Sequence, residues 1–552
     1  MEIVAALIVI ATLAAMTSGR VDTVVALAAG LVVAGLLRIA PADALFAGLS
    51  NAGVITVAGM LVVAEGVVAT GIVSRVSWRL LAGVKTAQQA FRRLAPPVGV
   101  ASALMNTTPL VAMLIAATRE LEQTRRVPAR GVLLPIAHAT TLVGSVTLIG
   151  TSSNLVIAGI AADGGVDMGM LSFAPVALPV ALVGWAVIYL TAPRLAAAAD
   201  AGEAEAREWR VEIPVGARAL IEHRRAADAG VPSVEQYALT EIRRGGEVLP
   251  PDAAVEIGDL LVFAATEEGV AGLWRSPVFG NPAQRLYAIT VKTDEGGLLG
   301  DLEQDGSLRV VAARADGPLQ EAVVLPGATC YVTGPNADAI AQHDAVGLWQ
   351  AATSHAPQPR KTLIALGVLV CVVGAAVTGL ARVELAASGG AIVMVLAGIL
   401  TPRAAVRALD FRTLFILAGS IGLGAIVVES GLADSLANAI RSTSDGHAAP
   451  ALIVFAVTTA LMTNFVTNAA TASILTPVAI AVAHDLGIDP LTVLALIGTC
   501  VSFTFINPLS HQTNLMVLHP GGYTQRSFAI YGIPVLLGSL VAACIVATLL
   551  AT

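Results

Sequence analysis

Long apolar runs with short polar punctuation fill most of this chain. Runs long enough to cross a ~30 Å hydrocarbon core cover roughly 3–18, 22–40, 52–74, 131–161, 170–193, 361–381, 386–401, 412–432, 490–518 and 527–551. Each predicts a membrane span. Two further apolar segments, 95–118 and 449–484, are interrupted in their middle, by Met105-Asn106-Thr107-Thr108-Pro109 and by Thr467-Asn468-Ala469. These predict helical hairpins. Between about 200 and 356 the pattern changes to short β-rich runs divided by turn signals such as GGEV and LPPD.

Composition agrees. The 552 residues are 56% apolar and only 13% charged, against ~25% charged in soluble domains, and mean hydropathy is +0.79. A soluble globular protein and a disordered chain are excluded, and long runs without alternation exclude an outer-membrane barrel. Fifty-two glycines and 27 prolines predict interrupted helices rather than straight ones. The net charge of −7 divides unevenly: residues 200–356 hold 24 acidic and 12 basic side chains, leaving 15 acidic and 20 basic for the rest. An acidic insert of −12 therefore interrupts a membrane part of +5. No basic stripe suggests nucleic acid. Cys330, Cys371, Cys500 and Cys544 lack metal or disulfide spacing and read as packing residues.

Lysine and arginine set the expected topology. Arg75, Arg79, Lys85, Arg92 and Arg93 precede the first hairpin, and Arg119, Arg125, Arg126 and Arg130 follow it. Both clusters belong inside, so segment 95–118 must enter and leave on the cytoplasmic side. Arg403, Arg407 and Arg412 place the loop near 402–412 inside as well, whereas Asp434, Asp445, Asp485 and Asp489 flank 449–484, a hairpin entering from outside. The expectation is a multi-pass protein of the cell membrane with a cytoplasmic insert and both termini outside. Glu2 and the absence of an early basic stretch argue against a cleaved signal peptide.

The halves repeat. Ala58-Gly59, Val67-Val68 and Gly71 recur 360 residues later as Ala418-Gly419, Val427-Val428 and Gly431, and Asn154-Leu155 recurs as Asn514-Leu515. The tip residues Asn106 and Asn468 differ by 362. Five spans per half force the copies to face opposite ways, as in secondary transporters. The fold class expected is a polytopic α-helical membrane protein: two inverted repeats of five spans plus one re-entrant hairpin each, with an inserted cytoplasmic α+β double domain. The divisions are 1–195, 200–280, 283–350 and 360–552.

Polar residues gather where each half must break. Asn106, Thr107 and Thr108 mark one tip; Asn468 and Thr471 mark the other; Thr151, Ser152, Ser153 and Asn154 stand in one span, and His511, Gln512, Thr513 and Asn514 in its counterpart. Backbone unpaired at that depth needs protein, water or ligand. Oxygen from Ser102, Asn106, Gly150, Thr463, Asn468 and Ser510 suits a hard cation such as Na⁺, and free N–H groups at half-helix starts suit an anion. Isolated serines and threonines also serve as glue between helices. Glu65 lies mid-span opposite Ala425 in the repeat, outside the symmetric set. His138 reads as packing, and His511, within a break, as a group close to ligand.

The runs NTTPLVAML with LIGTSSNLVI, and NAATASILTPVAI with SHQTNLMV, resemble the divalent-anion/sodium symporter family of the ion-transporter superfamily, over about 1–195 and 360–552. In that family the tips carry Ser-Asn-Thr, contacting the anion and its sodium ions. The matching positions here are Met105-Asn106-Thr107 and Thr467-Asn468-Ala469, which keep only the asparagine. The family's helix breaks map onto Gly150–Asn154 and Ser510–Asn514, with Ser152-Ser153 and Gln512-Thr513 where relatives often have Pro-Pro. QTNLMV with a central insert resembles the sulfate-type branch. The resemblance implies elevator-type transport against a dimerising scaffold, hence a homodimer. YALTEIRRGGEVLPPDAAVEIGDLLVFA resembles the regulator-of-potassium-conductance C-terminal (TrkA-C) domain, with a weaker copy over 283–346. That implies a small regulatory ligand or a dimer scaffold.

The expected function is sodium-coupled symport of a divalent anion, sulfate before a small dicarboxylate, in contact with membrane lipid and without a resident cofactor. A potassium channel or uptake component, suggested by the insert, is the alternative, but no TVGYG-type filter occurs. A membrane sensor that no longer transports is a third reading. No nucleophile, base and acid converge, so an enzyme is not expected.

Overall fold

The structure, a computed structural model, describes residues 1–17, 20–70, 84–105, 130–200, 209–216, 237–266, 286–291, 297–304, 306–324, 328–334, 345–351, 359–518 and 521–551, with scattered positions between them such as Thr107, Leu110 and Thr118. The chain forms two compact units, one of Met1–Ala201 with Pro357–Thr552, the other of Gly202–Ala356.

The first unit is helical. Its helices before the insert are α1 (Glu2–Thr17), α2 (Thr23–Leu36), α3 (Ala42–Phe46), α4 (Ala52–Ala69), α5 (Ala87–Leu104), α6 (Arg130–Gly144), α7 (Ser152–Asp163) and α8 (Ala174–Asp200). After it come α9 (Pro359–Val377), α10 (Val383–Leu396), α11 (Pro402–Ala408), α12 (Phe411–Glu429), α13 (Leu432–Thr443), α14 (Ala448–Phe465), α15 (Asn468–Leu486), α16 (Pro490–Val501), α17 (Gln512–Leu518) and α18 (Gln525–Ala551). Among the described residues six helices are long and apolar enough to cross a membrane. The starts of α2, α3, α6 and α7 recur 360 residues later as those of α10, α11, α16 and α17.

Local chemistry sets these boundaries. Asp22, Asn51, Thr86 and Asp410 each accept a hydrogen bond from a first-turn N–H of the helix that follows, satisfying an otherwise unpaired donor. Thr86 starts α5 at Ala87, earlier than the apolar run at 95 suggests, so the polar Gln88, Gln89, Arg92 and Arg93 ride on its first turns. The runs 22–40 and 386–401 end early as helices, because Arg38 and Gly398 take left-handed φ of 55° and 65°; α3 and α11 then start as separate short helices. Helix α13 was not expected: only Ala433 and Ala437 bury from it, too little apolar surface to register as a run.

Packing between the halves is reciprocal. A Cβ on Gly59 (α4) would lie 2.7 Å from the Ala387 carbonyl carbon (α10), and one on Gly419 (α12) would meet the Leu27 side chain (α2) at 3.3 Å. Both residues of each pair differ by 360 from their opposite numbers. Gly30 meets Thr12 at 2.3 Å, and Gly390 meets Val372 at 2.4 Å, with the same offset. Small residues let helix backbones approach where lipid gives no hydrophobic drive.

The second unit carries one eight-stranded antiparallel sheet in the order β10-β5-β9-β7-β1-β4-β2-β3. The strands are β1 (Trp209–Pro214), β2 (Tyr237–Arg244), β3 (Glu247–Leu249), β4 (Leu260–Ala265), β5 (Leu286–Val291), β7 (Arg309–Ala313), β9 (Thr329–Thr333) and β10 (Val346–Ala351); β6 (Gly297–Leu298) and β8 (Val323–Val324) form a separate pair. The three-strand order β1-β4-β2 repeats as β5-β9-β7, and β1 against β7 joins the two groups. Each group has its own apolar cluster, around Trp209, Phe263 and Phe279 and around Tyr287, Val310 and Val332. Gly245 and Gly246, at φ 58° and 95°, make the β2–β3 turn that needs positive φ at both central residues. Asp259, 1% exposed, is gripped by the Arg244 fork through Nε and Nη2, each at 2.8 Å, and accepts from the Glu256 N–H at 2.8 Å.

Two outcomes follow from this packing. Gly422→Leu would drive a Cβ to 2.2 Å from the Leu45 carbonyl oxygen, whereas a Cβ on Gly367 meets nothing within 4 Å. Thermal unfolding in detergent should show a loss of about 1–3 kcal/mol for Gly422→Leu and little change for Gly367→Leu. In the insert, the Arg244 fork holds the Asp259 carboxyl below its ordinary range. A lowered folded pKa gives stability that is present above the unfolded pKa of about 3.9 and lost as pH falls through the folded one. Hydrogen-exchange protection over 237–265 in the full chain, with the intrinsic pH dependence of amide exchange divided out, should therefore stay constant from pH 7 to 5 and fall below about 4; Asp259→Asn should already lower it at pH 7.

Candidate functional site

Two helix breaks and two hairpin tips define the site. Helix α5 ends at Leu104 with Met105 extended (φ −153°, ψ 160°), and α14 ends at Phe465 with Val466 extended (φ −120°, ψ 159°). Links outside the α-helices separate α6 from α7 and α16 from α17, the second containing a 3-10 turn at Pro508–Ser510. Helix α7 packs against α16 and α17 against α6, so each broken segment lies on the other half's first helix.

Side chains tie tips to breaks in the same way twice. The Ser102 hydroxyl donates to the Thr140 carbonyl at 2.8 Å, and the Thr463 hydroxyl to the Val501 carbonyl at 2.6 Å. The Thr147 hydroxyl donates to the Ala103 carbonyl, and the Asn507 amide to the Asn464 carbonyl at 3.0 Å. Asn154 donates its amide to the Ser145 and Thr147 carbonyls at 2.9 and 3.0 Å, and Asn514 donates to the Thr504 carbonyl. Each asparagine is fully buried, and its Oδ1 finds no hydrogen-bond partner. Two buried amide oxygens at equivalent positions are thus free to accept.

The first half holds a cradle of oxygens. The point where Gly144 would carry a Cβ lies 3.2 Å from the Gly150 carbonyl oxygen, 3.4 Å from the Ser102 Oγ and 3.6 Å from the Thr107 Oγ1. Gly144 ends α6 and Ser102 lies in the last turn of α5, so two helix C-termini, each partially negative, converge there. Neutral oxygens at a negative pole suit a hard monovalent cation. Among the described residues no group of three His, Cys, Asp or Glu side chains exists to hold a metal ion. One residue on, Thr151 is the N-cap of α7 yet makes no side-chain cap bond. That half-helix start, with its N–H groups and positive pole, offers an anion site.

The residues predicted from sequence fall out as follows. Ser102, Thr107 and Gly150 meet at the cradle; Ser152, Ser153 and Asn154 form the first turn of α7, with Ser153 and Asn154 buried. Asn106 and Thr108 lie outside the described residues. Thr463 bonds Asn468 Oδ1 at 2.9 Å, and Thr471 is buried with its hydroxyl unpaired. His511 and Thr513 pair with each other at 2.6 Å, Ser510 turns back onto the Asn507 carbonyl at 2.6 Å, and Gln512 is exposed. Glu65 is half-buried on α4. His138 is fully buried among the rings of Phe505, Phe528 and Tyr531 at 5.0, 5.3 and 5.8 Å. The tip register differs by one from the asparagine alignment: Thr107 stands five residues after Ser102, at 3.5 Å, as Asn468 stands after Thr463. The structural counterpart of Asn468 is therefore Thr107.

Sequence reasoning missed Thr140, Gly144, Thr147 and Asn464. Thr147 and Asn507 each precede the buried asparagine of their break by seven residues, a spacing that would have found them. Asn464 seals the second half: its amide donates to the Phe503 carbonyl at 2.9 Å and its Oδ1 accepts from the Ile506 N–H at 3.1 Å. Its equivalent, Ala103, cannot do this.

The chain matches the citrate transporter family over residues 6–499 and again over 384–552. An uncharacterized transporter of Synechocystis is 26% identical, over 86% of this chain and 85% of that protein. A putative sulfur deprivation response regulator of Chlamydomonas reinhardtii is 27% identical, over 86% and 89%. A probable sodium/sulfate cotransporter of the same alga is 30% identical, over 60% of this chain and 41% of that protein.

Gly144→Ala places a methyl in the cradle without adding polarity. In purified full-length protein, Na⁺ should raise the unfolding temperature of the wild type relative to K⁺, and Gly144→Ala should abolish that difference. Thr107→Ala should weaken it by about 10–100-fold in half-saturating Na⁺. An unchanged sodium response in both variants removes the cradle from the site.

Proposed function

The chain belongs to the citrate transporter family, and from that premise we propose a sodium-coupled symporter that moves a divalent oxyanion, sulfate in preference to a small dicarboxylate. The family and the relatives are transporters, not enzymes. The observation that carries the finer reading is the oxygen cradle at Gly144 next to the uncapped start of α7: a cation site and an anion site on consecutive residues, Gly150 and Thr151.

Sulfate is preferred on two grounds. A tetrahedral anion is satisfied by hydroxyl and N–H donors alone, which Ser152, Ser153 and the α7 backbone supply. A relative 30% identical carries sodium and sulfate in its name. The family's own name points to a larger carboxylate, and the altered tips, Met105-Asn106-Thr107 and Thr467-Asn468-Ala469, leave the site short of the usual hydroxyl pair.

The architecture proposed is two inverted repeats, 1–195 and 360–552, with the hairpins and broken helices moving as an elevator against a scaffold that pairs as a homodimer. The reciprocal contacts Gly59–Ala387 and Gly419–Leu27 support it, since a two-fold axis makes such pairs. The insert, with both termini on the opposite face, is read as two cytoplasmic TrkA-C-like modules, 200–280 and 283–350, that bind a regulatory ligand or brace the dimer. The repeated order β1-β4-β2 and β5-β9-β7 supports a duplicated module.

Uptake of labelled sulfate, succinate, citrate and potassium into proteoliposomes, with and without an inward sodium gradient, tests the proposal. Sulfate should accumulate only with the gradient. Sodium-independent potassium flux would overturn the symporter, and preferred citrate or succinate uptake would overturn the substrate.

A further inference from the structure

The two halves diverge where a short helix crosses the long one beside it. In one, α3 and the 3-10 turn Ala47–Ser50 that follows it lie hard against α12: a Cβ on Gly48 would be 2.1 Å from the Ala418 carbonyl oxygen, and one on Gly422 2.2 Å from that of Leu45. Leu45, 1% exposed, fills the space between. The positions offset by 360 from Gly422, Leu45 and Gly48 are Val62, Ala405 and Ala408. Valine stands where glycine admits a backbone, and alanine does not refill the gap. A groove of about 300 Å³ remains, floored by Val62 and walled by Ala391, Val395, Ala405, Val406 and Leu409. That volume is at the small end of ligand pockets, and every lining side chain is apolar.

Charge diverges at the same place. Asp43 of α3 and Ala47, which opens the 3-10 turn after it, are replaced on α11 by Arg403 and Arg407. These are one turn apart, on the same side of the helix, and both are exposed. Among the described residues neither joins an ion pair, whereas the nearby Arg412 bonds Asp22 at 2.9 Å. Helix α11 thus turns Ala405 and Val406 to the groove, with Leu409 just past its end, and carries two guanidinium groups on its other side.

We propose that this groove holds an acyl chain of an anionic phospholipid whose phosphate is bound by Arg403 and Arg407. An acyl chain gains little by leaving one apolar surroundings for another, so the headgroup supplies the selectivity. Guanidinium is the group suited to phosphate oxygens, through paired N–H donors. An amphipathic helix at the interface, apolar toward the chains and basic toward the headgroups, presents both at the right levels.

Native mass spectrometry of the full-length protein, titrated with phosphatidylglycerol or with phosphatidylcholine of the same acyl chains, tests this. Phosphatidylglycerol should form the stronger adduct. Near an anionic surface each arginine is worth about fivefold in affinity, so Arg403→Gln with Arg407→Gln should weaken that adduct about 25-fold, to the level of phosphatidylcholine. Ala405→Leu, which copies Leu45 into the groove, should weaken both adducts. Lipid-free unfolding temperatures report whether either variant is damaged. Equal binding of the two lipids, or of phosphatidylglycerol to wild type and the arginine variant at matched unfolding temperature, overturns the proposal. A change of oligomeric mass in Ala405→Leu also overturns it, by showing that a second copy covers the face.

Discussion

A helix interrupted inside a membrane leaves carbonyl and N–H groups that lipid cannot satisfy, and this constraint organises the first unit. Each break is repaired from outside its own helix: Thr147 and Asn507 reach back to the end of a hairpin helix, while Ser102 and Thr463 reach forward from the hairpin to α6 and α16. Asn154 and Asn514 close the links from below with their amides. Tip and break are therefore tied to each other in both halves. The donors are consumed by this bracing, while the amide oxygens of both asparagines are left over. On the proposed function, oxygens left over from stabilising the break are what a cation would use.

The halves share this bracing but spend it differently. In the second, Asn464 takes a carbonyl and an N–H of the following link at once, and Asn468 accepts from Thr463. The first half has Ala103 and Thr107 at those positions, fewer polar atoms, and an oxygen-lined space at Gly144 in their place. The same divergence recurs at α3 and α11, where Leu45 and Gly422 close a gap that Ala405 and Val62 leave open. Matching positions at a fixed offset carry the fold, and departures from the match carry the chemistry.

That division explains what the sequence made legible. The spans, the insert and the 360-residue offset follow from hydropathy and from Gly, Asn and Leu placement, because burial in lipid and close helix contact leave few residue choices. The capping residues Asp22, Asn51 and Thr86 carry no hydropathy signal, so apolar runs alone miss all three, and α5 begins earlier than its apolar run. Helix α13 was invisible, since two buried alanines make no hydropathy signal. Gly144 was invisible for another reason: a glycine in an apolar run looks like packing until Ser102, Thr107 and Gly150 are seen around it. The tip register could not be read from identities, because aligning asparagine on asparagine hides that Thr107 takes the place of Asn468. In the insert, the duplicated strand order is plain, but the sharing of one sheet through β1 and β7 depends on edges that no local pattern announces.

On the proposed function, a cation site at Gly144 would be built without a carboxylate, and that has consequences for coupling. The cradle at Gly144 offers dipoles only, so a bound cation there keeps its full charge in a place of low dielectric. In the proposed function that compensation comes from an anion at the start of α7, one residue along the chain from Gly150. Two unit charges about 4 Å apart attract by roughly 1–4 kcal/mol between the dielectric of water and that of a protein surface. This spans the 1–3 kcal/mol typical of coupling between two ligand sites. Linkage makes the effect mutual: whatever the cation adds to anion affinity, the anion adds to cation affinity. An acidic ligand in the cradle would satisfy the cation by itself and remove the reason for the anion to follow. On the proposed function, the missing carboxylate is what makes one ion need the other.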